Sequence, residues 1–148
     1  MHKSYNLYIG IDPDVDKSGF AVWDGNNYIE LTCLSLPDLM TALKAYHDEY
    51  LVMIRLEAGW LAKGLNWHAG GLASANAVGR NHEIGRQIEK YCKANGIAYT
   101  LVKPLGYSSC THERFCMITK WPKHIRTNGD VRVAALLVYG YRCKFLIK

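Results

Sequence analysis

The sequence predicts an α/β domain: a five-stranded mixed sheet in the order 3-2-1-4-5, with strand two antiparallel, flanked by helices. Three observations predict it. Short apolar runs bracket Asp24-Gly25-Asn26-Asn27, a strong hairpin signal. Two further strand-length runs are each reached through a helix-length segment, as parallel crossovers require. An acid stands at the end of three elements: Asp12, Glu57 and Asp130.

Residues 5–12 form the first strand, which should be central, and Asp12-Pro13-Asp14 closes it. Lys17-Ser18-Gly19 reads as a turn, residues 19–23 as strand two and residues 28–34 as strand three, completing an antiparallel meander. Pro37 marks a helix start with Ser35 as its cap. Leu39, Met40, Leu43, Tyr46 and His47 supply the apolar stripe. Residues 51–56 form strand four, parallel to strand one, with Glu57 at its tip. Residues 58–75 are Gly-rich and irregular; residues 74–94 read as a long helix that Asn95-Gly96 ends. Residues 97–102 are strand five, ended by Lys103-Pro104. A loop follows at 106–110, then a short helix at 112–119, a linker at 121–124 and a last helix over 130–142.

The chain has 148 residues, enough for one domain (1–148) with a sizeable core. Apolar residues make up 49%, which excludes global disorder. A formal charge of +5, from 18 Lys and Arg against 13 Asp and Glu, permits a polyanionic partner without establishing one. The five cysteines form no CxxC pair and are odd in number. With no apolar leader, free thiols in a reducing, cytoplasmic setting are expected. No run is long enough to span a membrane. There is no internal repeat, low-complexity tract or linker between domains.

Asp12, Glu57 and Asp130 are the candidate metal ligands and catalytic acids. Carboxylates gathered at element ends suit hard divalent cations, Mg²⁺ or Mn²⁺, which take oxygen ligands. Such ions serve phosphodiester hydrolysis by activating water and clamping the attacking and leaving oxygens. Each acid also has a plainer reading: Asp12 as a turn acid before Pro13, Glu57 as a strand-end charge, Asp130 as a helix cap. Asp14 and Asp16 read as loop acids. Lys103 is placed to meet a phosphate as a point charge. Trp60 and Trp67 are candidates for stacking on bases, with core or dimer contact as the alternative. Lys63, Arg80, Arg86 and Lys90 are candidates for phosphate contact, or a solvated helix face. His68, His82 and His112 lack zinc spacing, nothing orients Cys110 and His112 as a catalytic pair, and Gly10-Ile11-Asp12 is not a glycine-rich phosphate loop.

Placed this way, the residues resemble the RuvC-like Holliday junction resolvases of the ribonuclease H-like superfamily. The resemblance is carried by Ile9-Gly10-Ile11-Asp12-Pro13-Asp14, by Ser18-Gly19-Phe20-Ala21-Val22, and by Leu56-Glu57 at the family's second acidic position. Arg80-Asn81 through Gly85 resembles the central helix. Phe115 through Trp121, Arg126-Thr127-Asn128 and Arg132-Val133-Ala134-Ala135 resemble the C-terminal region of small phage-like members. The resemblance implies a ribonuclease H-like fold and metal-dependent cleavage of Holliday junctions or other branched DNA. It also implies a homodimer, for which the long helix, with Ala75, Ala77, Val78, Ile84 and Ile88, is the expected interface. One departure stands out. The family usually carries two acids one turn apart on the last helix; here Asp130 fills the first place and Val133 the second. Valine offers no oxygen, so the chain works with three acids, borrows another such as Asp14, or is catalytically dead; a branched-DNA-binding or assembly protein without catalysis is the alternative reading.

Overall fold

The computed structural model describes residues 4–62 and 71–144, with side chains from Ala75 onward in the second stretch. The sheet has the order β3-β2-β1-β4-β5, from strands β1 (Leu7–Asp12), β2 (Ser18–Trp23), β3 (Tyr28–Leu34), β4 (Val52–Glu57) and β5 (Ala98–Val102). β2 runs antiparallel to both β1 and β3, while β4 is parallel to β1 and to β5. Four helices accompany it: α1 (Leu36–Glu49), α2 (Gly71–Ala94), α3 (His112–Thr119) and α4 (Gly129–Leu136).

Alternation along the strands builds two cores, one on each face of the sheet. Ile9, Ile11, Phe20, Val22, Ile54 and Leu56 point to one face and meet Leu39 and Leu43 of α1 and Ile88 and Cys92 of α2. Ala21, Trp23 and Val102 point to the other and meet Phe115 and Cys116 of α3 and Ala134 and Ala135 of α4. Ser35 caps α1, its side chain accepting the Asp38 N–H. Asn128 caps α4, accepting the Val131 N–H at 2.9 Å.

What places α4 is the smallness of the residues under it. A Cβ on Gly10 would lie 1.9 Å from the Ala134 carbonyl oxygen, and one on Gly19 would lie 2.1 Å from that of Asp130. Glycine at both positions lets the helix backbone rest directly on β1 and β2. Any side chain there would lift it.

The last helix is shorter than the apolar run 131–139 implies, ending at Leu136 rather than Arg142. Side chains from the sheet bind carbonyls at its C-cap and in the segment beyond it. Arg55 Nε donates to Leu137 O at 2.7 Å, and Trp23 Nε1 donates to Tyr141 O at 2.8 Å. The Arg55 guanidinium lies 4.6 Å from the centre of the Tyr141 ring. Gly140, at φ 82°, makes the reversal that follows. The expected surface role of Ile88 also fails: it is wholly buried, and Ile84 packs against the same core. Both face inward because α2 needs an apolar stripe to dock on the sheet. Within the described residues no helix is long and apolar enough to cross a membrane.

Candidate active site

Parallel pairing of β1 and β4, with Ile11 opposite Leu56, brings Asp12 and Glu57 out at the same edge of the sheet. The third acid arrives from the other end of the chain. Asp12 pairs across β1 and β2 with Gly19, and the Asp130 backbone sits on Gly19. One glycine thus places the start of α4 beside the end of β1.

The electrostatics follow from this crowding. Burial, then the charges of Glu57, Asp130 and Asp14, push the Asp12 carboxyl up to about 8. Glu57 is raised by burial and by Asp130. Asp130 is raised by burial and by Asp14, while a hydrogen bond from Asp12 acts in the opposite direction. Like charges close together disfavour full ionisation. Here a proton held by Asp12 relieves part of that cost.

Asp14, read from the sequence as a loop acid, belongs to this group because its charge acts on both Asp12 and Asp130. Its loop is fixed. The Asp14 N–H donates to Ser18 Oγ at 3.0 Å, and Asp14 Oδ1 accepts the Asp16 N–H at 2.9 Å. The Val15 N–H donates to Asn81 Oδ1 of α2, also at 2.9 Å. The D-x-D spacing before Ser18 was the available signal: an Asp side chain that accepts an N–H two residues on forms a local turn. Asp16 itself is exposed.

The donor set is entirely carboxylate oxygen, which fits Mg²⁺ or Mn²⁺ by chemistry. Its spacing does not close around an ion: among the described residues no group of three or more His, Cys, Asp or Glu side chains is arranged to hold one. Ligation would require Asp12 to release its proton and the carboxylates to turn inward.

Lys103 follows β5 at the same edge and is exposed; the charges acting on Asp12 come from Glu57, Asp130 and Asp14. Trp60 lies in a short 3-10 turn after β4 (Gly59–Leu61) and is half-buried against α2. A Cβ on Gly85 would fall 2.5 Å from its ring. The Arg86 guanidinium sits 5.4 Å from the ring centre, and the His82 ring lies 6.0 Å away. Burial, and after it Arg86, lowers the His82 pKa. Trp60 and Arg86 therefore hold each other, and Trp60 docks the turn on α2. Arg80 is exposed beside Asn76 and Glu83. Lys63 and Trp67 lie outside the described residues.

Among solved structures, T. thermophilus RuvC in complex with a Holliday junction substrate aligns with a TM-score of 0.51 at 12% sequence identity, covering 88% of this chain and 91% of that one. The fold is ribonuclease H-like. No protein-family model and no curated protein matches the sequence.

Proposed function

We propose that the chain is a metal-dependent, structure-selective endonuclease acting on branched DNA, Holliday junctions among the candidates, with Mg²⁺ or Mn²⁺ bound at Asp12, Glu57 and Asp130. The observation that carries this reading is the convergence of three half-buried acids from distant parts of the sequence at one end of the sheet, through the parallel β1–β4 pair and the Asp130 backbone on Gly19. Grouping them has a cost that a divalent cation offsets. The bound ion would supply an activated water and neutralise charge on the transferring phosphate. In this reading Asp12 would be the central ligand, because it ends the central strand between β2 and β4. Glu57 and Asp130 flank it, and Lys103 meets a phosphate from the end of β5. Two-fold symmetry of a junction favours a homodimer. With Ile84 and Ile88 inward, the surface of α2 available to a partner is narrower than its sequence implies.

A second reading is favoured by the same geometry. The acids do not close around an ion among the described residues, and Val133, one turn after Asp130, is a buried apolar side chain. A branched-DNA-binding or assembly protein without cleavage accounts for both.

The test is cleavage of a labelled four-way junction by wild type, Asp12→Asn and Val133→Asp, with Mg²⁺ and with Mn²⁺. The endonuclease reading expects wild-type product, stronger with Mn²⁺, lost in Asp12→Asn with DNA affinity retained. Junction binding with no product from wild type, and product from Val133→Asp, would favour the second reading.

A further inference from the structure

The linker between α3 and α4 is a built element. Lys120 ends α3 with φ 63°, a left-handed turn. His112 of α3 is buried and reaches across the linker at both ring nitrogens. Nε2 lies 2.8 Å from Lys123 O, and Nδ1 lies 2.8 Å from Thr127 Oγ1. A carbonyl only accepts, so the proton on that side belongs to Nε2. Arg132 of α4 closes the far end, its Nη1 donating to Thr127 O at 2.6 Å and to Thr127 Oγ1 at 3.2 Å. Trp121, packed against the second core, donates through Nε1 to Ile125 O at 2.9 Å.

This anchoring commits the buried His112 and the half-buried Arg132 and Trp121 to a stretch whose own side chains face water. Lys120, Lys123, His124, Ile125 and Arg126 are all exposed, Ile125 to 45%. Among the described residues the only ion pair made by these cations, Arg126 with Glu113, spans 3.6 Å and is exposed on both sides, so it exchanges readily for another anion. The linker also leads straight into the candidate site. Arg126 is four residues before Asp130, so their Cα atoms lie within about 14 Å of each other. Measured along the axis of a duplex, at about 3.4 Å per phosphate of one strand, that span is on the order of four steps.

We infer that the linker 120–126 is a preorganised nucleic-acid contact: Lys120, Lys123 and Arg126 meet backbone phosphates beside the Asp130 edge, and Ile125 packs against the exposed face of a base step. Holding the loop before binding removes an ordering cost from association. Apolar side chains flanked by cations unstack or cover base steps in the same manner. This inference rests on the branched-DNA reading above, but it assigns the contact to residues apart from the carboxylates.

The experiment is fluorescence anisotropy of a four-way junction in EDTA across a salt series, beside Mn²⁺ calorimetry on the same proteins. For Lys123→Ala/Arg126→Ala we expect affinity to fall at least tenfold at 0.1 M salt. The slope of log affinity against log salt should drop by about 1.8, the share of two phosphates. Ile125→Ala should weaken binding severalfold with the slope unchanged. Lys44→Ala/Lys93→Ala, which removes two cations paired along α1 and α2, should change neither. An unaltered affinity and slope in Lys123→Ala/Arg126→Ala would overturn the inference while leaving the metal reading intact if wild type still binds Mn²⁺. The expected loss in a protein that binds no Mn²⁺ would uphold the contact and reject the metal site. Wild type without junction affinity would reject the contact and the branched-DNA reading together.

Discussion

Asp12 at the end of the central strand and Asp130 at the start of the last helix meet over Gly19, which pairs with Asp12 and lies directly under the Asp130 backbone. The proton that the Asp12 carboxyl holds there makes stability depend on pH. The Asp12 carboxyl is raised to about 8, against about 3.9 for an unfolded Asp. Between those values the folded chain keeps a proton that the unfolded chain has lost. Stability is therefore greatest below about pH 4 as far as this group decides it, and falls as pH rises through about 8. Glu57 and Asp130, also raised, act with the same sign. Denaturant midpoints of metal-free protein should fall over that window by a free energy of several kcal/mol, because each tenfold difference in proton affinity between the folded and unfolded chain is worth roughly 1.4 kcal/mol. Asp12→Asn should flatten most of the slope and be the more stable protein at pH 8.

Gly19→Ala should displace Asp130. Its new methyl meets a main-chain carbonyl, which moves only with the whole helix. Overpacking of this kind costs about 1–3 kcal/mol or more. Gly79→Ala is the contrast: it lies within α2 with nothing within 4 Å of the added Cβ, and should stabilise by up to about 1 kcal/mol. Thermal melts of the two variants check this, and Mn²⁺ affinity should drop in the first alone.

Val133→Asp introduces an acid at a position that is 3% exposed. Without metal it should lower Tm by several degrees, because an unpaired buried charge is costly. Added Mn²⁺ should restore more of that loss than it adds to wild type, and junction cleavage should rise. Equal destabilisation with and without Mn²⁺ would place residue 133 outside the site.

The sequence made the sheet legible because its signals are local. The turn at Asp24 fixes the meander, and the crossovers before β4 and β5 set parallel neighbours, so the shared edge of Asp12 and Glu57 follows. Other features depend on tertiary partners that no local pattern reveals. At the end of α4 Arg55 binds the C-cap carbonyl of Leu137, and Trp23 holds the segment beyond at Tyr141, against an apolar run that would otherwise continue the helix. Trp60 and Arg86 are candidates for a nucleic-acid surface by composition, and the contact between them, across 5.4 Å, is visible only in the fold. Asp14 had a legible turn, but its action on Asp130 depends on where Gly19 seats α4. His112 has no metal spacing, and its part in pinning the linker is visible only once Lys123 and Thr127 are beside it.

The central claim is that Asp12, Glu57 and Asp130 form a divalent-cation site whose closure displaces a proton. Calorimetric titration with Mn²⁺ at pH 7, repeated in two buffers of different ionisation enthalpy, measures binding and proton release together. Wild type should show saturable binding with close to one proton released per ion, and Asp12→Asn should lose both. Binding that persists unchanged in Asp12→Asn, or no binding by wild type at any pH up to 9, would contradict the claim.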